Sequence, residues 1–63
     1  MTDEQKVKNF YPGAEIVGHP HGKVQAWSLT SGFLGDMAYK GTREQCRAQA
    51  WKTAADRPAM ESE

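Results

Sequence analysis

Three stretches of the chain show the alternation of hydrophobic and polar residues that is typical of β-strands. They cover residues 14–18, 23–29 and 36–40, and the second is the clearest because it combines branched and aromatic residues with near alternation. Between the first two stretches, the segment His19-Pro20-His21-Gly22 supplies the proline and glycine that favour a turn. The pattern therefore predicts three short strands that form an antiparallel meander.

The pattern changes to helical spacing after residue 41. Thr42 stands three residues before Gln45, which is the spacing of a capping box, and an alanine-rich segment then continues without a helix breaker as far as Pro58. At about 100° per residue, the small apolar residues of this segment fall on one side of a helix. We therefore predict a helix over residues 43–56 whose buried stripe consists of Cys46, Ala50, Trp51 and Ala54, with Ala48 and Ala55 at its margins.

The N-terminal segment carries a weaker helical signal. Thr2 and Gln5 repeat the capping-box spacing, so a helical turn or two is predicted from Asp3 toward Phe10. The Tyr-Pro-Gly sequence at residues 11–13 then ends the helical turn.

The order of the predicted elements indicates an α+β fold. It consists of a three-stranded antiparallel sheet with one C-terminal helix packed on one face, and of an optional N-terminal helical turn. A chain of 63 residues is long enough for one domain, and a domain of this size buries only about 60% of the surface of the unfolded chain. We expect residues 1–63 to form that domain, with residues 1–9 and 58–63 frayed or flexible because terminal segments make few contacts.

Alternation along the three strands divides the predicted sheet into two faces of different character. The face predicted to meet the helix is almost wholly apolar and carries Ala14, Ile16, Val24, Ala26, Ser28, Met37 and Tyr39. The opposite face is polar around a hydrophobic centre and carries Glu15, Val17, Gln25, Trp27, Leu29, Asp36, Ala38 and Lys40. In the loop before the third strand, we expect either Phe33 or Leu34 to fill one end of the core.

Trp27 lies near the centre of the face that no predicted element covers, and three interpretations remain open. Phe10 and Tyr11 could fold back over it, or the faces could be reversed so that Trp27 belongs to the core. In the third interpretation the patch binds another protein. The predicted partner-binding residues are then Val17, Trp27 and Leu29.

Eight basic residues balance eight acidic ones, so the chain as a whole has no net electrostatic attraction to nucleic acids or anionic membranes. A local basic patch is present at the start of the predicted helix, where Lys40, Arg43 and Arg47 are close in sequence and Glu44 interrupts them. The plainer interpretation of this patch is a solvated polar helix face. The alternative is a contact with nucleic acid through Lys40, Arg43 and Arg47.

The chain contains no residue pattern that is typical of a catalytic, metal or cofactor site. His19, His21 and Cys46 do not have the spacing of a structural zinc site, and the glycines do not form a phosphate-binding loop. Cys46 falls in the predicted apolar stripe of the helix, which favours a plain buried thiol over a nucleophile. We therefore predict a protein that is not an enzyme and that needs no cofactor or metal.

A single cysteine excludes an intramolecular disulfide, and neither the polar N-terminus nor any apolar run is typical of a signal peptide or a membrane span. We therefore expect a soluble cytoplasmic protein. In size and architecture the chain is similar to accessory proteins of bacteria and their phages, including inhibitors of host or defence machinery. This similarity implies a small binding module that contacts another protein or a second copy of itself. Nucleic acid is the less favoured partner, and no membrane or small-molecule substrate is predicted.

Overall fold

The elements follow one another in the order helix, three strands, helix. They are α1 (Asp3–Phe10), β1 (Glu15–Gly18), a 3₁₀ turn (Pro20–Gly22), β2 (Val24–Ser28), β3 (Gly32–Phe33) and α2 (Arg43–Glu61). The computed structural model describes residues 2–61, and the side chains of residues 2–57. The strands are antiparallel and adjacent in the order β1–β2–β3, which confirms the predicted α+β meander with a helix at its N-terminus.

Both helices begin where the sequence predicts them to begin, because each has a complete capping box. In α1 the Thr2 hydroxyl accepts from the Gln5 backbone N–H at 3.2 Å, and the Gln5 side chain accepts from the Thr2 N–H at 3.1 Å. In α2 the corresponding distances between Thr42 and Gln45 are 3.2 and 2.8 Å. Each box satisfies two backbone N–H groups at or next to the helix start.

The C-terminal helix is longer than predicted, because α2 continues through Pro58 as far as Glu61. The prediction that Pro58 ends the helix is therefore wrong. A proline lacks the N–H that would bond to the carbonyl four residues earlier, yet its φ of about −65° is a helical value. Of the segments predicted to fray, Met1, Ser62 and Glu63 lie outside the described residues.

The core lies between one face of the sheet and the two helices, which also pack against each other. Val7 from α1 and Ala54 from α2 are both fully buried. The predicted stripe of α2 is confirmed, and of its two margin positions Ala55 is buried whereas Ala48 is exposed. One cluster of the core contains Val7, Tyr11, Ala14, Ala26, Leu34, Trp51, Ala54 and Ala55, and a second contains Ala38, Cys46 and Ala50.

The third strand is shorter and lies earlier in the chain than the predicted strand at residues 36–40. β3 pairs with β2 through Gly32 and Phe33 only. The turn before it is anchored by Ser28, which is fully buried and whose hydroxyl lies 3.0 Å from that of Thr30. Because the strand begins directly after this short turn, its two residues looked like part of a loop in the sequence.

The segment that was predicted as the third strand pairs with β2 at one residue. Ala38 and Val24 exchange two backbone hydrogen bonds, at 2.9 and 3.0 Å. The Leu34 N–H bonds to the Ala26 carbonyl at 3.0 Å. Three residues stand between Leu34 and Ala38 but only one stands between Ala26 and Val24, so residues 35–37 bulge out of the ladder.

The segment after the bulge faces the opposite way from the prediction, because Ala38 pairs with Val24, whose side chain packs on the core. Ala38 is 7% exposed and belongs to the core, although it was predicted on the opposite face. Met37 and Tyr39 were predicted to face the helix and are instead 43% and 59% exposed. Within the bulge, the Gln25 side chain donates to the Gly35 carbonyl and so satisfies one backbone group that has left the ladder.

The remaining large apolar side chains divide between core and surface. Leu34 is fully buried, as predicted for one of the two loop residues, and the adjacent Phe33 is half exposed. Tyr11 belongs to the core between the helices and the sheet, and Phe10 is exposed at the end of α1. The interpretation in which Phe10 and Tyr11 cover Trp27 is therefore wrong.

Candidate functional site

Trp27 lies on the sheet face that points away from both helices. Its neighbours in β2, Ala26 and Ser28, are buried, and successive side chains of a strand point to opposite faces. The predicted faces of β1 and β2 are thus confirmed, and the interpretation that places Trp27 in the core beneath the helix is wrong. We call the surface around Trp27 the open face, and it comprises Glu15, Val17, His19, Gln25, Trp27 and Phe33.

Aromatic rings from the two edges of the sheet meet across the open face. Phe33 stands opposite Trp27 in the β2–β3 register, and its ring centroid lies 5.5 Å from that of His19, which follows β1. Tilted ring pairs at this distance stabilise each other. Phe33 nevertheless remains 50% exposed, so the open face presents an apolar surface to the solvent.

The structure brings two of the three predicted partner-binding residues together. Val17 and Trp27 lie on the open face, and both are partly exposed. Leu29 follows the last residue of β2, in the turn toward β3, and is 82% exposed. Sequence reasoning missed Phe33, because its position opposite Trp27 depends on a two-residue strand that the alternation pattern did not reveal.

A second surface lies where the β1–β2 turn approaches the start of α2. It is a groove with a volume of about 510 Å³, and none of its twelve lining residues is acidic. Apolar side chains of the core, among them Ile16 and Cys46, also line it. We call it the basic groove, and its basic and imidazole side chains are His19, His21, Lys23, Arg43 and Arg47.

The β1–β2 turn places three of these side chains. The His19 N–H donates to the Lys23 carbonyl at 2.7 Å, which closes the turn. His21 has a φ of 66°, a left-handed conformation that is uncommon for a residue with a side chain, and Gly22 follows it with a φ of 77°. Two consecutive left-handed residues reverse the chain tightly, so the turn holds its side chains at one end of the sheet.

The start of α2 places the other two side chains of the basic groove. Arg43 is the first residue of the helix, and Arg47 lies four residues later, which is about one turn along the same side. Cys46 is 3% exposed, and its Sγ lies 3.5 Å from the Lys40 carbonyl oxygen. Cys46 is therefore a buried thiol, as predicted, beside two exposed guanidinium groups.

The cations of the basic groove have no carboxylate partner among the described residues. The ion pair that this part of the chain contains joins Lys8 to Glu4 on α1, at 2.8 Å. Lys23 instead lies over the ring of Tyr39, with its Nζ 5.6 Å from the ring centroid, and the Nζ of Lys40 lies 5.9 Å from the same centroid. Lys40 thus adjoins the basic groove across Tyr39.

Of the three residues predicted as an alternative nucleic-acid contact, Arg43 and Arg47 lie together in the basic groove and Lys40 lies next to it. Glu44, which interrupts the patch in the sequence, does not line the groove. Sequence reasoning missed the contribution of the β1–β2 turn. No local pattern connects Lys23 with Arg43, because they belong to separate elements that meet only in the folded chain.

His19 belongs to both surfaces, since it lines the basic groove and its ring contacts Phe33 on the open face. Its Nε2 is buried and has no hydrogen-bond partner among the described residues. A buried polar atom without a partner costs about 1–3 kcal/mol of stability. The side chain is therefore held in place by ring packing rather than by hydrogen bonding through this atom.

Within the described residues, no three His, Cys, Asp or Glu side chains are grouped so that they could hold a metal ion. None of the helices in this part of the chain is both long enough and apolar enough to cross a lipid bilayer. No protein-family model, curated protein or solved structure matches this chain.

Proposed function

We propose that this protein is a small non-enzymatic module that binds another protein through the open face. The observation that carries this proposal is the exposure of large apolar side chains on and beside a sheet face that neither helix covers. Phe33 is 50% exposed on that face, and Leu29, just beyond the end of β2, is 82% exposed. Apolar side chains grouped in this way are typical of contact sites.

Trp27 and Phe33 are the residues that we expect to contribute most to binding. Aromatic side chains dominate the energetics of many protein interfaces because they bury a large apolar area and have few rotatable bonds. The two residues are paired across β2 and β3, and the His19 ring supports Phe33 from the opposite edge. A pair that is already held in place loses little conformational freedom on binding.

An accessory or inhibitory role in a bacterium or a phage is the setting that we propose for this contact. A domain of 63 residues can block or recruit a larger protein by covering part of its surface, without catalytic groups of its own. The open face suits such a role because it combines apolar side chains with one carboxylate, one amide and one imidazole.

A photo-crosslinking comparison of two phenylalanines tests the proposal. Phe33 and Phe10 have similar exposure, 50% and 56%, but only Phe33 lies on the open face. Replacing each in turn by p-benzoylphenylalanine keeps an aromatic ring at the site. After illumination in the cells that naturally produce the protein, we expect a discrete protein adduct from position 33 and none from position 10.

Trp27→Thr, introduced into the chain with the crosslinker at position 33, is the matched variant, because threonine is compatible with a strand. We expect it to remove the adduct while a cooperative unfolding transition persists. If this variant does not fold, Val17→Lys, which places a charge on the same face, takes its place. An adduct with a second copy of the chain would identify self-association as the contact. Equal adducts from both positions, or no adduct from either, would overturn the proposal.

A further inference from the structure

The basic groove concentrates positive charge in a chain whose net charge is zero. Four of the eight basic residues, Lys23, Lys40, Arg43 and Arg47, line the groove or adjoin it, and no acidic residue lines it. We propose that the groove binds the phosphate backbone of a nucleic acid. This function goes beyond the protein contact proposed above and, apart from His19, uses different side chains.

One of the cations stands where it weakens the fold. Arg43 is the first residue of α2, at the positive end of the helix macrodipole, where an anion is favourable and a cation is not, and Arg47 lies one turn later. Neither arginine has a carboxylate partner among the described residues. Charges that break a local rule without a compensating contact are typical of functional sites, because a ligand offsets the unfavourable placement.

The shape of the groove favours a narrow polyanion. Its cations line a concavity with a volume of about 510 Å³. A ridge of phosphates can enter this concavity, whereas a flat bilayer cannot. They come from two separate elements, the β1–β2 turn and the start of α2, so they can contact successive phosphates. Arginine suits this ligand because its planar guanidinium can donate two parallel hydrogen bonds to one phosphate.

An exposed aromatic ring lies among these cations. Tyr39 lines the groove and is 59% exposed, and the ammonium groups of Lys23 and Lys40 lie within 6 Å of its ring centroid, at 5.6 and 5.9 Å. Grooves that bind nucleic acids combine cations that follow the backbone with aromatic rings that contact bases. Ala38 points into the core, so the adjacent Tyr39 points outward and its ring is available for such a contact.

Salt-dependent binding of labelled oligonucleotides tests the proposal. The probes are fluorescein-labelled DNA and RNA of mixed sequence, each about 16 nucleotides long and each tested as single strand and as duplex, with fluorescence anisotropy as the measurement. Neutralising three phosphates of duplex DNA gives a slope of log affinity against log salt of about −2.7, so we expect the affinity to fall about 40-fold between roughly 50 and 200 mM salt. The four probes also establish which form of nucleic acid the groove prefers.

Two pairs of substitutions separate the groove from the overall charge. Arg43→Gln with Arg47→Gln removes two groove cations, and Lys6→Gln with Lys52→Gln removes two exposed cations elsewhere, with the same change in net charge. Glutamine is a good helix former, so both double variants should fold. We expect the arginine pair to lower the affinity about tenfold or more and to make the salt slope shallower by about two, whereas the lysine pair changes the affinity less than about twofold.

Two further probes distinguish nucleic acid from other polyanions. Poly-L-glutamate presents repeated carboxylates, and vesicles that contain phosphatidylserine present an anionic bilayer. The proposal is supported if at least one oligonucleotide binds more tightly than both poly-L-glutamate and the vesicles. The proposal is overturned if no oligonucleotide binds at the lowest salt, or if the two double variants lose the same affinity. It is also overturned if poly-L-glutamate or the vesicles bind as tightly as nucleic acid.

Discussion

Gly35 shows how a residue without a side chain lets the bulge pack closely on α2. A Cβ at this position would lie 2.5 Å from Thr53 Cγ2 and 3.2 Å from Thr53 Cβ. The first of these distances is far below a normal contact between carbon atoms. The Gly35 carbonyl also accepts the hydrogen bond from the Gln25 side chain. Glycine at position 35 therefore sets the distance between the bulge and the helix.

Gly35→Ala is expected to lower the free energy of unfolding by about 1–3 kcal/mol, because the added methyl group overpacks against Thr53. Adding Thr53→Ser removes the clashing Cγ2 and keeps the hydroxyl that donates to the Gln49 carbonyl at 2.9 Å, so part of the loss should be regained. Gly18→Ala is the control, since nothing lies within 4 Å of its added Cβ. Urea denaturation measures each variant, and purely additive losses for Gly35→Ala and Thr53→Ser would contradict the contact.

Phe33 and Leu34 show which properties of single residues the sequence predicts and which it does not. It predicts that one of these two neighbours is buried, and Leu34 is. It does not identify which one, because that choice depends on the pairing of β3 with β2. The pairing places Phe33 opposite Trp27 on the open face, and the next residue in a strand must then point into the core.

At the scale of elements, the start of α2 combines a stabilising cap with an unfavourable charge. The capping box of Thr42 and Gln45 satisfies backbone N–H groups, whereas Arg43 opposes the macrodipole directly after it. The helix is held mainly by the burial of its apolar stripe, from Cys46 to Ala55. The helix can therefore tolerate cations in its first turns, where they are available to bind a ligand.

Arg43→Gln is expected to raise the free energy of unfolding by about 0.3–1 kcal/mol at low ionic strength, because it removes a cation from the positive end of the helix dipole. Lys52→Gln, in the middle of α2, is the control and should change stability by less than about 0.5 kcal/mol. Added salt should reduce the gain, since it screens exposed charges. A loss of stability in Arg43→Gln would mean that the guanidinium makes a favourable contact, and would remove one argument for a ligand.

At the scale of the whole molecule, the charges sum to zero but are segregated in space. The basic groove occupies the end of the sheet where the β1–β2 turn meets α2, and the open face lies on the side of the sheet opposite the helices. His19 is the residue that the two surfaces share. This arrangement would let one small domain contact a protein and a nucleic acid at the same time.

The two surfaces are expected to be separable by substitution. Trp27→Thr should abolish crosslinking from position 33 and leave oligonucleotide affinity within about twofold, because no phosphate contact is removed. The double variant Arg43→Gln with Arg47→Gln should lower oligonucleotide affinity about tenfold or more and leave crosslinking from position 33 intact. Both variants are compared by their crosslinking yield, which reports the protein contact, and by fluorescence anisotropy, which reports oligonucleotide binding. Loss of both activities in either variant, with folding intact, would instead indicate one continuous site centred on His19.

Both helix starts, the first two strands and the turn that joins them follow from local signals in the sequence. The capping boxes at Thr2 and Thr42 depend on residues three positions apart, so they form without information from the rest of the fold. The apolar stripe of α2 and the alternation in β2 likewise repeat over a few residues. These features were predictable because each depends on neighbours along the chain.

The third strand and the two surfaces depend instead on contacts between segments that are far apart in the sequence. The alternation pattern does not show which residue of β2 each of these residues pairs with, so it could not reveal the bulge at residues 35–37 or the pairing of Ala38 with Val24 that leaves Tyr39 exposed. Nor could it place Lys23 and Arg43 in the same groove, because that arrangement depends on how α2 lies across the sheet. Strand register and helix packing are set by contacts between distant segments, and for that reason the groove and the position of Phe33 emerge only in the folded chain.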